Sequence, residues 1–508
     1  MRLLLASLLL AAPWLTAATP CANLAQLTIP NVRITAATAV PAGAFTPPGG
    51  RPMPNLPAFC RIAATLTPSA DSDIKVEVWL PTAWNSQFLG IGNGGFAGAI
   101  SYGGLIDAVR HGYATASTDT GHQGGGTDAS WALNHPEKIV DFGHRAIHEM
   151  TVHANAILTA YYGSAPRRSY FSSCSNGGRQ ALMEAQRYPA DYDGIIAGAP
   201  ANAWTSLMTN AARNMQVTGG DLSGYIPAAK LPTIQSAVLA ACDQADGVKD
   251  GVLENPAACR FDPDALRCAG PDADTCLTPP QVNSLKAIYG PLRTANGKPQ
   301  FPGYSPSGES EPGGWGAWIT GPKPAASALY AFSTNFFRFM AHSDPAWNVD
   351  KFDLARDLPA AQKLAQVLDA TNPDLRAFHA RGGKLILYHG WCDAAIPAQN
   401  AIDYYQSVVK KMGASKANQF VRLFMVPGMQ HCGGGAGPNA FGQGGAPLGD
   451  AASNIAAALV RWVEQGYAPE RILATKPGRT RPLCAYPNVA RFSGNGSPDD
   501  AANFNCAR

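Results

Sequence analysis

One serine in a glycine-rich turn has the sequence context of a nucleophile. Ser175 lies within SSCSNGGRQAL, between the aromatic run SYF and the helix-forming run RQALMEAQRY. A strand, a sharp turn and a helix in this order would expose the hydroxyl and aim backbone N–H groups at a developing oxyanion. The tight turn needs small neighbours, here Ser173 and Gly177, so the motif is S-x-S-x-G rather than G-x-S-x-G. Taken alone, the stretch fits a nucleophile or a plain Ser/Gly turn.

A nucleophilic serine needs a base and an acid that orients the base, and candidates for both follow Ser175 in the chain. Asp393 comes after the strand-like run KLILYHGW, and His431 comes after FVRLFMVPGM. The order Ser, Asp, His, with each residue at the end of a strand, is one that catalytic triads use. The rival bases are His342, His379 and His389. His379 falls inside a helical stretch and His389 precedes the acid, so both fit less well.

The cysteines beside two of these residues add an independent indication. Cys174 directly precedes Ser175, and Cys432 directly follows His431. If Ser175 and His431 lie within hydrogen-bond reach, the Cα atoms of their neighbours can fall within the roughly 4.4–6.8 Å that a disulfide requires. The sequence therefore predicts a covalent tie between the nucleophile and the base.

The segments that must position these residues alternate between strand and helix patterns. Residues 74–81 have apolar side chains at every second position, 87–100 run from a strand into a glycine loop, and 136–163 read as a long helix ended by Gly163. Such alternation predicts an α/β fold with a mostly parallel sheet and helices on its faces. The pattern is lost between about 202 and 375, which indicates an inserted domain.

Several motifs together resemble one enzyme family. They are C-S-x-G-G-R around Ser175, G-W-x-D ending at Asp393, H-C at 431–432, HPEKIVDFGHRAIHE and YDGIIAGAPA. This combination is similar to the tannase/feruloyl esterase family, which includes bacterial hydrolases of mono(2-hydroxyethyl) terephthalate. The resemblance covers nearly the whole mature chain. It implies an α/β-hydrolase core, a large inserted lid, a Ser–Asp–His triad braced by a Cys174–Cys432 disulfide, and aromatic carboxylic esters as substrates.

The chain is expected to have four parts. Residues 1–18 have an arginine, an apolar run and small residues at their end, which is typical of a signal peptide, although a buried first helix or a membrane anchor would also fit. Residues 19–201 and 376–508 would form the two parts of the hydrolase core, and 202–375 the lid. The net charge of +3 gives no indication of a nucleic acid or membrane partner. We expect a secreted or periplasmic protein.

Export makes disulfides the expected state of the cysteines. The chain has 11 of them, an odd number that leaves one over. Spacing does not determine the connectivity, but proximity along the chain and the family resemblance favour four further pairs. These are Cys21–Cys60, Cys242–Cys259, Cys268–Cys276 and Cys484–Cys506. Cys392 is then the candidate for the unpaired thiol, interpreted as a small buried residue without a role.

An acidic loop in the lid segment is a candidate calcium site. Asp243, Asp246 and Asp250 lie within eight residues of one another and repel unless a cation sits among them. With the carbonyls of Val248 and Val252 they would supply the oxygen ligands that Ca²⁺ prefers. The spacing is not that of an EF-hand, so on the residues alone an exposed acidic turn fits equally well. The resemblance implies a structural calcium ion at this pattern.

The substrate side of the site is less determined. The N–H of Asn176, which follows the nucleophile, is expected to donate to the oxyanion, with Gly94 or Gly95 of the GNGGF loop as the second donor. That loop could equally be a flexible glycine turn. Among the aromatic residues of the lid, Trp315 and Phe337 could contact an aromatic acyl group, and Arg338 a substrate carboxylate. Lid-core packing and a structurally paired arginine are the alternatives.

These expectations combine into one hypothesis with one rival. The chain is expected to be a secreted serine esterase for small aromatic acid esters, free or linked to polysaccharide. Feruloyl (hydroxycinnamoyl) esters are the first choice, and galloyl esters and terephthalate monoesters follow. The rival is a non-catalytic, calcium-dependent binding protein on a hydrolase scaffold, against which the intact Ser, Asp and His argue.

Overall fold

A nine-stranded sheet forms the centre of the molecule. The computed structural model describes residues 19–219, 222–447 and 449–508, so the predicted signal peptide, 1–18, lies outside it. The strands of the described part are β1 Val32–Val40, β2 Gly43–Phe45, β3 Met53–Leu56, β4 Phe59–Leu66, β5 Ile74–Pro81, β6 Gln87–Ile91, β7 Ala114–Thr118, β8 Arg168–Cys174, β9 Gly194–Gly198, β10 Leu292–Arg293, β11 Pro299–Phe301, β12 Lys384–Gly390, β13 Val421–Val426, β14 Arg471–Lys476, β15 Arg479–Cys484, β16 Val489–Phe492 and β17 Phe504–Ala507.

Fifteen helices accompany these strands within the same described ranges. They are α1 Tyr102–Arg110, α2 Pro136–Val140, α3 Ala146–Tyr162, α4 Asn176–Arg187, α5 Trp204–Gly219, α6 Leu231–Cys242, α7 Pro279–Tyr289, α8 Trp315–Trp318, α9 Ala328–Asn335, α10 Leu354–Gln362, α11 Ala365–Leu368, α12 Arg376–Ala380, α13 Gln399–Met412, α14 Ala414–Phe420 and α15 Ile455–Gln465.

The central sheet is parallel over most of its width. Its strands lie in the order β1-β4-β5-β7-β6-β8-β9-β12-β13. The six strands from β7 to β13 run parallel, whereas β1, β4 and β5 join them as antiparallel neighbours. Every residue of β6, β7, β9 and β13 is buried, as expected for parallel strands covered on both faces. The α/β prediction is confirmed, and the carboxyl ends of β6, β8, β12 and β13 share one edge.

The described part of the segment between β9 and β12 contributes no strand to the central sheet. It contains helices α5 to α12 and the β10–β11 hairpin, and its apolar side chains share one buried cluster with Phe96, Phe142 and residues 394–396 of the core. Phe336, Phe337 and Trp315 are among the fully buried members of this cluster. We call this segment, 199–383, the lid; the boundaries 202 and 375 remain a prediction.

One predicted helix is interrupted. The segment expected as a single helix at 136–163 consists of α2, a π-helical turn at Asp141–Arg145, and α3, which ends at Gly163 in a left-handed conformation. A Cβ at Gly143 would lie 2.6 Å from the carbonyl oxygen of Val367. The glycine therefore lets the lid backbone approach this turn closely.

All five predicted disulfides are present in the structure. They are Cys21–Cys60, Cys174–Cys432, Cys242–Cys259, Cys268–Cys276 and Cys484–Cys506. Cys392 is free and buried, as predicted, and its Sγ lies 3.2 Å from Ser307 Oγ. Over the described ranges, none of the helices combines the length and the apolar character needed to cross a membrane.

Candidate active site

Ser175 lies at a strained turn between β8 and α4. Its backbone has φ 67° and ψ −126°, a conformation that costs about 1–3 kcal/mol and is found mostly at functional sites. The turn leaves no room for larger neighbours, because a Cβ at Gly177 would lie 1.9 Å from Ser173 Oγ. A Cβ at Gly178 would lie 2.3 Å from the carbonyl oxygen of Gly198. Ser173 and Gly177 therefore face each other across the turn, as the motif requires.

The three predicted triad residues meet at the carboxyl edge of the sheet. His431 Nε2 lies 2.9 Å from Ser175 Oγ, and His431 Nδ1 lies 2.8 Å from Asp393 Oδ2. Asp393 follows β12 and His431 follows β13. Because these strands run parallel to β8, both residues lie at the same edge of the sheet as the end of β8. Ser175 and His431 are half-buried and Asp393 is buried. The imidazole can therefore take a proton from the hydroxyl while remaining oriented by the carboxylate.

Asp393 is held in its ionised form. Its Oδ1 accepts hydrogen bonds from the backbone N–H groups of Ala395 and Ile396, at 2.8 and 2.9 Å. Burial by itself would raise the pKa of Asp393, but the charge of His431 and hydrogen bonds from His389 and His431 outweigh burial and hold the pKa well below its usual range. The carboxylate is thus available to stabilise an imidazolium at His431.

His389, a rival candidate for the base, contacts the acid instead. Its ring is fully buried, and its Nε2 lies 3.1 Å from both Asp393 Oδ2 and the Ile396 carbonyl oxygen. Both are acceptors, so Nε2 carries the proton. The other two rivals lie elsewhere: His342 pairs with Asp357 in the lid, and His379 with Gln419. The sequence reasoning missed the contact between His389 and Asp393, although their spacing of four residues was visible.

The Cys174–Cys432 disulfide joins the residues next to Ser175 and His431. The two Cα atoms are 6.1 Å apart. The bond connects the end of β8 to the loop after β13, two strands that β9 and β12 separate in the sheet. It therefore fixes the distance between the segments that carry Ser175 and His431.

The predicted oxyanion donors flank the same turn. Asn176 is the first residue of α4, where an amide has no acceptor within its own helix. Gly94 lines a cavity of about 330 Å³ together with Ser173, Cys174 and Cys432. Gly95 has φ 56°, and a Cβ there would lie 2.3 Å from the Gly126 carbonyl oxygen.

Two hydrogen bonds between Asn93 and Gln180 fix the glycine loop to α4. The Asn93 N–H donates to Gln180 Oε1 at 2.9 Å, and Gln180 Nε2 donates to Asn93 Oδ1 at 3.2 Å. Both residues are buried. Because Gln180 belongs to α4, the loop that carries Gly94 is held in register with the turn at Ser175.

The arginine of the C-S-x-G-G-R motif has a positioning role that the sequence reasoning did not assign. Arg179 is fully buried, and burial lowers its pKa to about 9. Its Nε donates to Asn176 Oδ1 at 2.7 Å, and its Nη atoms donate to the carbonyls of Gly143 and Phe142 at 2.7 and 2.9 Å. These are carbonyls at the π-helical turn. Arg179 therefore connects that turn to the start of α4.

Two of the three predicted substrate contacts in the lid, Phe337 and Trp315, are buried in its core. Phe337 is fully buried and stacks on Trp347, and Trp315 is buried against Tyr289. As placed, neither ring can contact a substrate. Arg338 is half-buried, and its Nε donates to the Trp347 carbonyl oxygen at 2.7 Å. Its contact with a substrate carboxylate stays a prediction.

Trp318 is a lid residue that contacts the triad. Its ring lies edge-on to His431, with centroids 5.0 Å apart, and it is half-buried. The other side of Trp318 is supported by Phe332, whose ring is nearly parallel at 6.2 Å. A partly exposed indole beside His431 is a suitable neighbour for an aromatic group.

The predicted calcium ligands lie on one loop after α6. Asp243 accepts from the Gly251 N–H, Asp246 from those of Val248 and Glu254, and Asp250 from that of Val252. Burial raises the pKa of Asp246, and the nearby charge of Asp250 adds to this rise.

The fit of this loop to calcium rests on the type of its ligands. Carboxylates and carbonyls are the ligands that Ca²⁺ prefers. Over the described ranges, the oxygens of the three aspartates are not all gathered within 4.8 Å of one another. Asp250 is also paired with Arg481 at 2.5 Å. The loop therefore offers suitable donors but not a closed shell.

Comparison with known proteins places the chain among esterases. The family model described as "Tannase and feruloyl esterase" matches residues 60–507. An uncharacterized esterase of Xanthomonas campestris is 43% identical over 97% of this chain and 92% of its own. A probable feruloyl esterase B-2 of Aspergillus terreus is 32% identical over 95% of this chain and 93% of its own.

A solved structure extends the similarity to the whole fold. The crystal structure of feruloyl esterase B from Aspergillus oryzae has a TM-score of 0.89 and 30% identity, and the match covers 96% of this chain and 99% of that one. The chain has the α/β-hydrolase fold, and its sequence and structure agree along nearly its full length with these relatives. The chain belongs to the tannase and feruloyl esterase family.

Proposed function

We propose that the protein is a serine esterase that hydrolyses esters of aromatic carboxylic acids. The single observation that carries this proposal is the position of His431 between Ser175 Oγ and Asp393, at 2.9 and 2.8 Å. Membership of an esterase family agrees with it. Hydroxycinnamoyl esters such as feruloyl esters are the first substrate class, because relatives similar over most of the chain bear that name. Galloyl esters and terephthalate monoesters are the alternatives.

The reaction follows from the geometry. Ser175 Oγ attacks the ester carbonyl carbon while His431 Nε2 takes its proton, and Asp393 stabilises the imidazolium. The N–H of Asn176 and that of Gly94 or Gly95 donate to the oxyanion. The tetrahedral intermediate then breaks its bond to the alcohol, which leaves with the proton from Nε2. A water molecule, deprotonated by His431, then attacks the carbonyl carbon of the acyl-enzyme. The bond to Ser175 Oγ breaks, Oγ takes the proton back from His431, and the acid is released.

The catalytic assignment is tested by removing the hydroxyl. We expect Ser175→Ala to lose nearly all turnover of p-nitrophenyl acetate and methyl ferulate, since a triad residue contributes several orders of magnitude to kcat. Ser172→Ala, also on β8 and half-buried, is the matched control and should keep its activity. Equal turnover by wild type and Ser175→Ala would refute the assignment.

Trp318 is the residue that we expect to stack on the aromatic ring of the substrate. We expect Trp318→Ala to lower kcat/KM for methyl ferulate by about tenfold. An aromatic contact contributes about 1 kcal/mol in addition to the apolar area that it buries, and about 1.4 kcal/mol corresponds to a factor of ten. The same change should affect p-nitrophenyl acetate much less, because its acyl group is small. Trp84→Ala is the control, since Trp84 stacks on Tyr162. A parallel set of feruloyl, galloyl and terephthalate monoesters decides among the substrate classes.

A structural calcium ion in the lid is part of the same proposal. Asp243, Asp246 and Asp250, with the carbonyls of Val248 and Val252, would hold it. We expect added Ca²⁺ to raise the Tm of chelator-treated protein, and Asp246→Asn to abolish this rise. The exposed lid residue Asp274 provides the control Asp274→Asn. An unchanged Tm on adding Ca²⁺ would contradict the calcium site.

The location of the enzyme is proposed to be outside the cytoplasm. Five disulfides support it, because disulfides persist in oxidising compartments. Esters linked to polysaccharides, as well as free esters, would be accessible there. Fractionation of expressing cells, with the full chain including residues 1–18, tests this location; recovery of the unprocessed chain in the cytoplasm would contradict it.

A further inference from the structure

A second group of titratable side chains lies away from the triad. His148 of α3, Glu184 of α4 and Asp191, in the turn before β9, each offer a ligand atom within 4.8 Å of the other two. Glu184 lies nine residues after Ser175, so α4 separates it from the nucleophile by about 13 Å along the helix axis. The esterase mechanism uses none of these three residues.

The buried member of this group lacks a partner. Glu184 is 1% exposed, and neither of its carboxylate oxygens has a hydrogen-bond partner within the described ranges. Buried carboxylates are normally paired, because an unpaired charge costs several kcal/mol. Burial, with the adjacent charge of Asp191, raises the pKa of Glu184 well above its usual range. Without a cation Glu184 is therefore the protonated acid, and a cation placed between these groups would let both carboxylates carry their charge.

The remaining members of the group are held in position and reach the surface. His148 Nδ1 donates to Asp191 Oδ2 at 2.7 Å, and the side chains are 29% and 8% exposed. The imidazole stacks on Tyr188, with centroids 3.8 Å apart and planes 6° from parallel. His148 therefore links the buried carboxylate to the surface.

We propose that His148, Glu184 and Asp191 bind a divalent transition-metal ion such as Zn²⁺. One imidazole and two carboxylates are a mixed nitrogen and oxygen set, which suits Zn²⁺, Co²⁺ or Mn²⁺ better than Ca²⁺. The two carboxylates balance the charge of the ion. On binding, the Glu184 carboxyl releases its proton to solvent, and the His148 proton moves from Nδ1 to Nε2 so that Nδ1 can bind the ion. Water completes the coordination.

The consequence of binding would be structural. The ion would connect α3 to α4 and to the turn that leads into β9, so that α4 is fixed at both ends. At its start, α4 is already fixed by Arg179 and the Cys174–Cys432 disulfide. The site is too far from Ser175 to take part in ester hydrolysis, so occupancy should change stability and leave the chemical step unaltered.

Zinc titration of the whole protein tests the proposal. The protein is freed of metals and returned to a calcium-containing buffer, so that only the effect of Zn²⁺ is measured. Isothermal titration should give one Zn²⁺ per chain, and Zn²⁺ should raise the Tm. We expect His148→Ala and Glu184→Gln to weaken binding at least about tenfold and to remove the rise in Tm. His153→Ala, on the same helix and paired with Glu149, is the matched control and should behave as wild type.

Two outcomes would overturn the proposal. The first is the absence of stoichiometric binding of Zn²⁺, Co²⁺ or Mn²⁺ by the wild-type protein. The second is binding that His148→Ala and Glu184→Gln leave unchanged, which would place the ion at another site. Since His148 is partly exposed, its alanine variant keeps the test decisive if Glu184→Gln does not fold. Co²⁺ provides a spectroscopic check, because its visible absorption in the wild type should be lost in His148→Ala.

Discussion

Gly177→Ala should damage the active site through one identifiable clash. The added methyl group would lie 1.9 Å from Ser173 Oγ and 2.5 Å from Ser173 Cβ. Rotation of the hydroxyl could relieve the first contact but not the second, because Cβ is fixed by the backbone of β8. Carbon atoms normally approach to about 3.5–4.0 Å, so β8 and α4 must separate by roughly 1 Å. Ser175 lies between them and would move with them.

The expected magnitude follows from that displacement. A shift of about 1 Å at a reacting group costs roughly 100-fold in rate, so kcat for methyl ferulate should fall by about two orders of magnitude while KM changes little. Overpacking should also destabilise the fold by about 1–3 kcal/mol. The protein should remain folded, and the loss should appear mainly in kcat.

A second substitution should restore the activity. Ser173→Gly removes both atoms that clash, and the next neighbour of the methyl group is the Asn93 carbonyl oxygen at 3.2 Å. The double variant should therefore recover most of kcat, with a coupling energy of about 1–3 kcal/mol. Gly178→Ala is the control: its methyl group would meet the backbone oxygen of Gly198 at 2.3 Å, and Ser173→Gly should not rescue it.

Steady-state kinetics of the wild type, the three single variants and the two double variants with Ser173→Gly complete the test. Thermal melts of each protein separate lost activity from lost folding. If Gly177→Ala retained wild-type kcat, the close packing of the turn would be wrong. If Ser173→Gly failed to rescue Gly177→Ala, or rescued Gly178→Ala equally well, the clash with Ser173 would not be the cause.

Three further predictions concern the groups that support the triad. Replacing Cys174 and Cys432 together by alanine should lower kcat and cost about 2–5 kcal/mol of stability; unchanged kcat would contradict the bracing role. Arg179→Met should lower the Tm markedly, because buried carbonyls lose their donors at about 1–3 kcal/mol each, and a melt like that of wild type would refute this. The pKa of Asp393 is lowered in the folded state. Its contribution to stability is therefore present above its unfolded pKa of about 3.9 and is lost as the pH falls below that value. In denaturant titrations below that pH, the wild type should lose stability relative to Asp393→Asn.

The positions of the triad residues were predictable because parallel strands share one edge. A residue directly after a buried strand of such a sheet must lie at its carboxyl end, which is where Ser175, Asp393 and His431 are found. The pairing of Cys174 with Cys432 followed from the same constraint. In each case a local pattern was sufficient, since the sheet itself supplied the long-range geometry.

The lid could not be predicted at the same level. No sheet relates its helices, so the aromatic residues at 315–347 gave no indication of which ring faces the site. Trp315 and Trp318 are three residues apart, yet the first is buried against Tyr289 and the second lies beside His431. Likewise, the π-helical turn at Asp141–Arg145 depends on Arg179 and on the lid backbone at Val367, two contacts that are distant in sequence.

His389 illustrates how a correct pattern can be given the wrong role. His389 is the only histidine of the strand that leads to Asp393. Because it precedes the acid in the chain, the sequence order argues against it as the base. The structure gives the position of the base to His431 instead, because His431 bridges Asp393 and Ser175. The sequence order also places His389 four residues before Asp393, on the buried side of the same turn, where Nε2 reaches Asp393 Oδ2. The acid is thereby held from both sides, by a buried imidazole that cannot reach the substrate and by one that can.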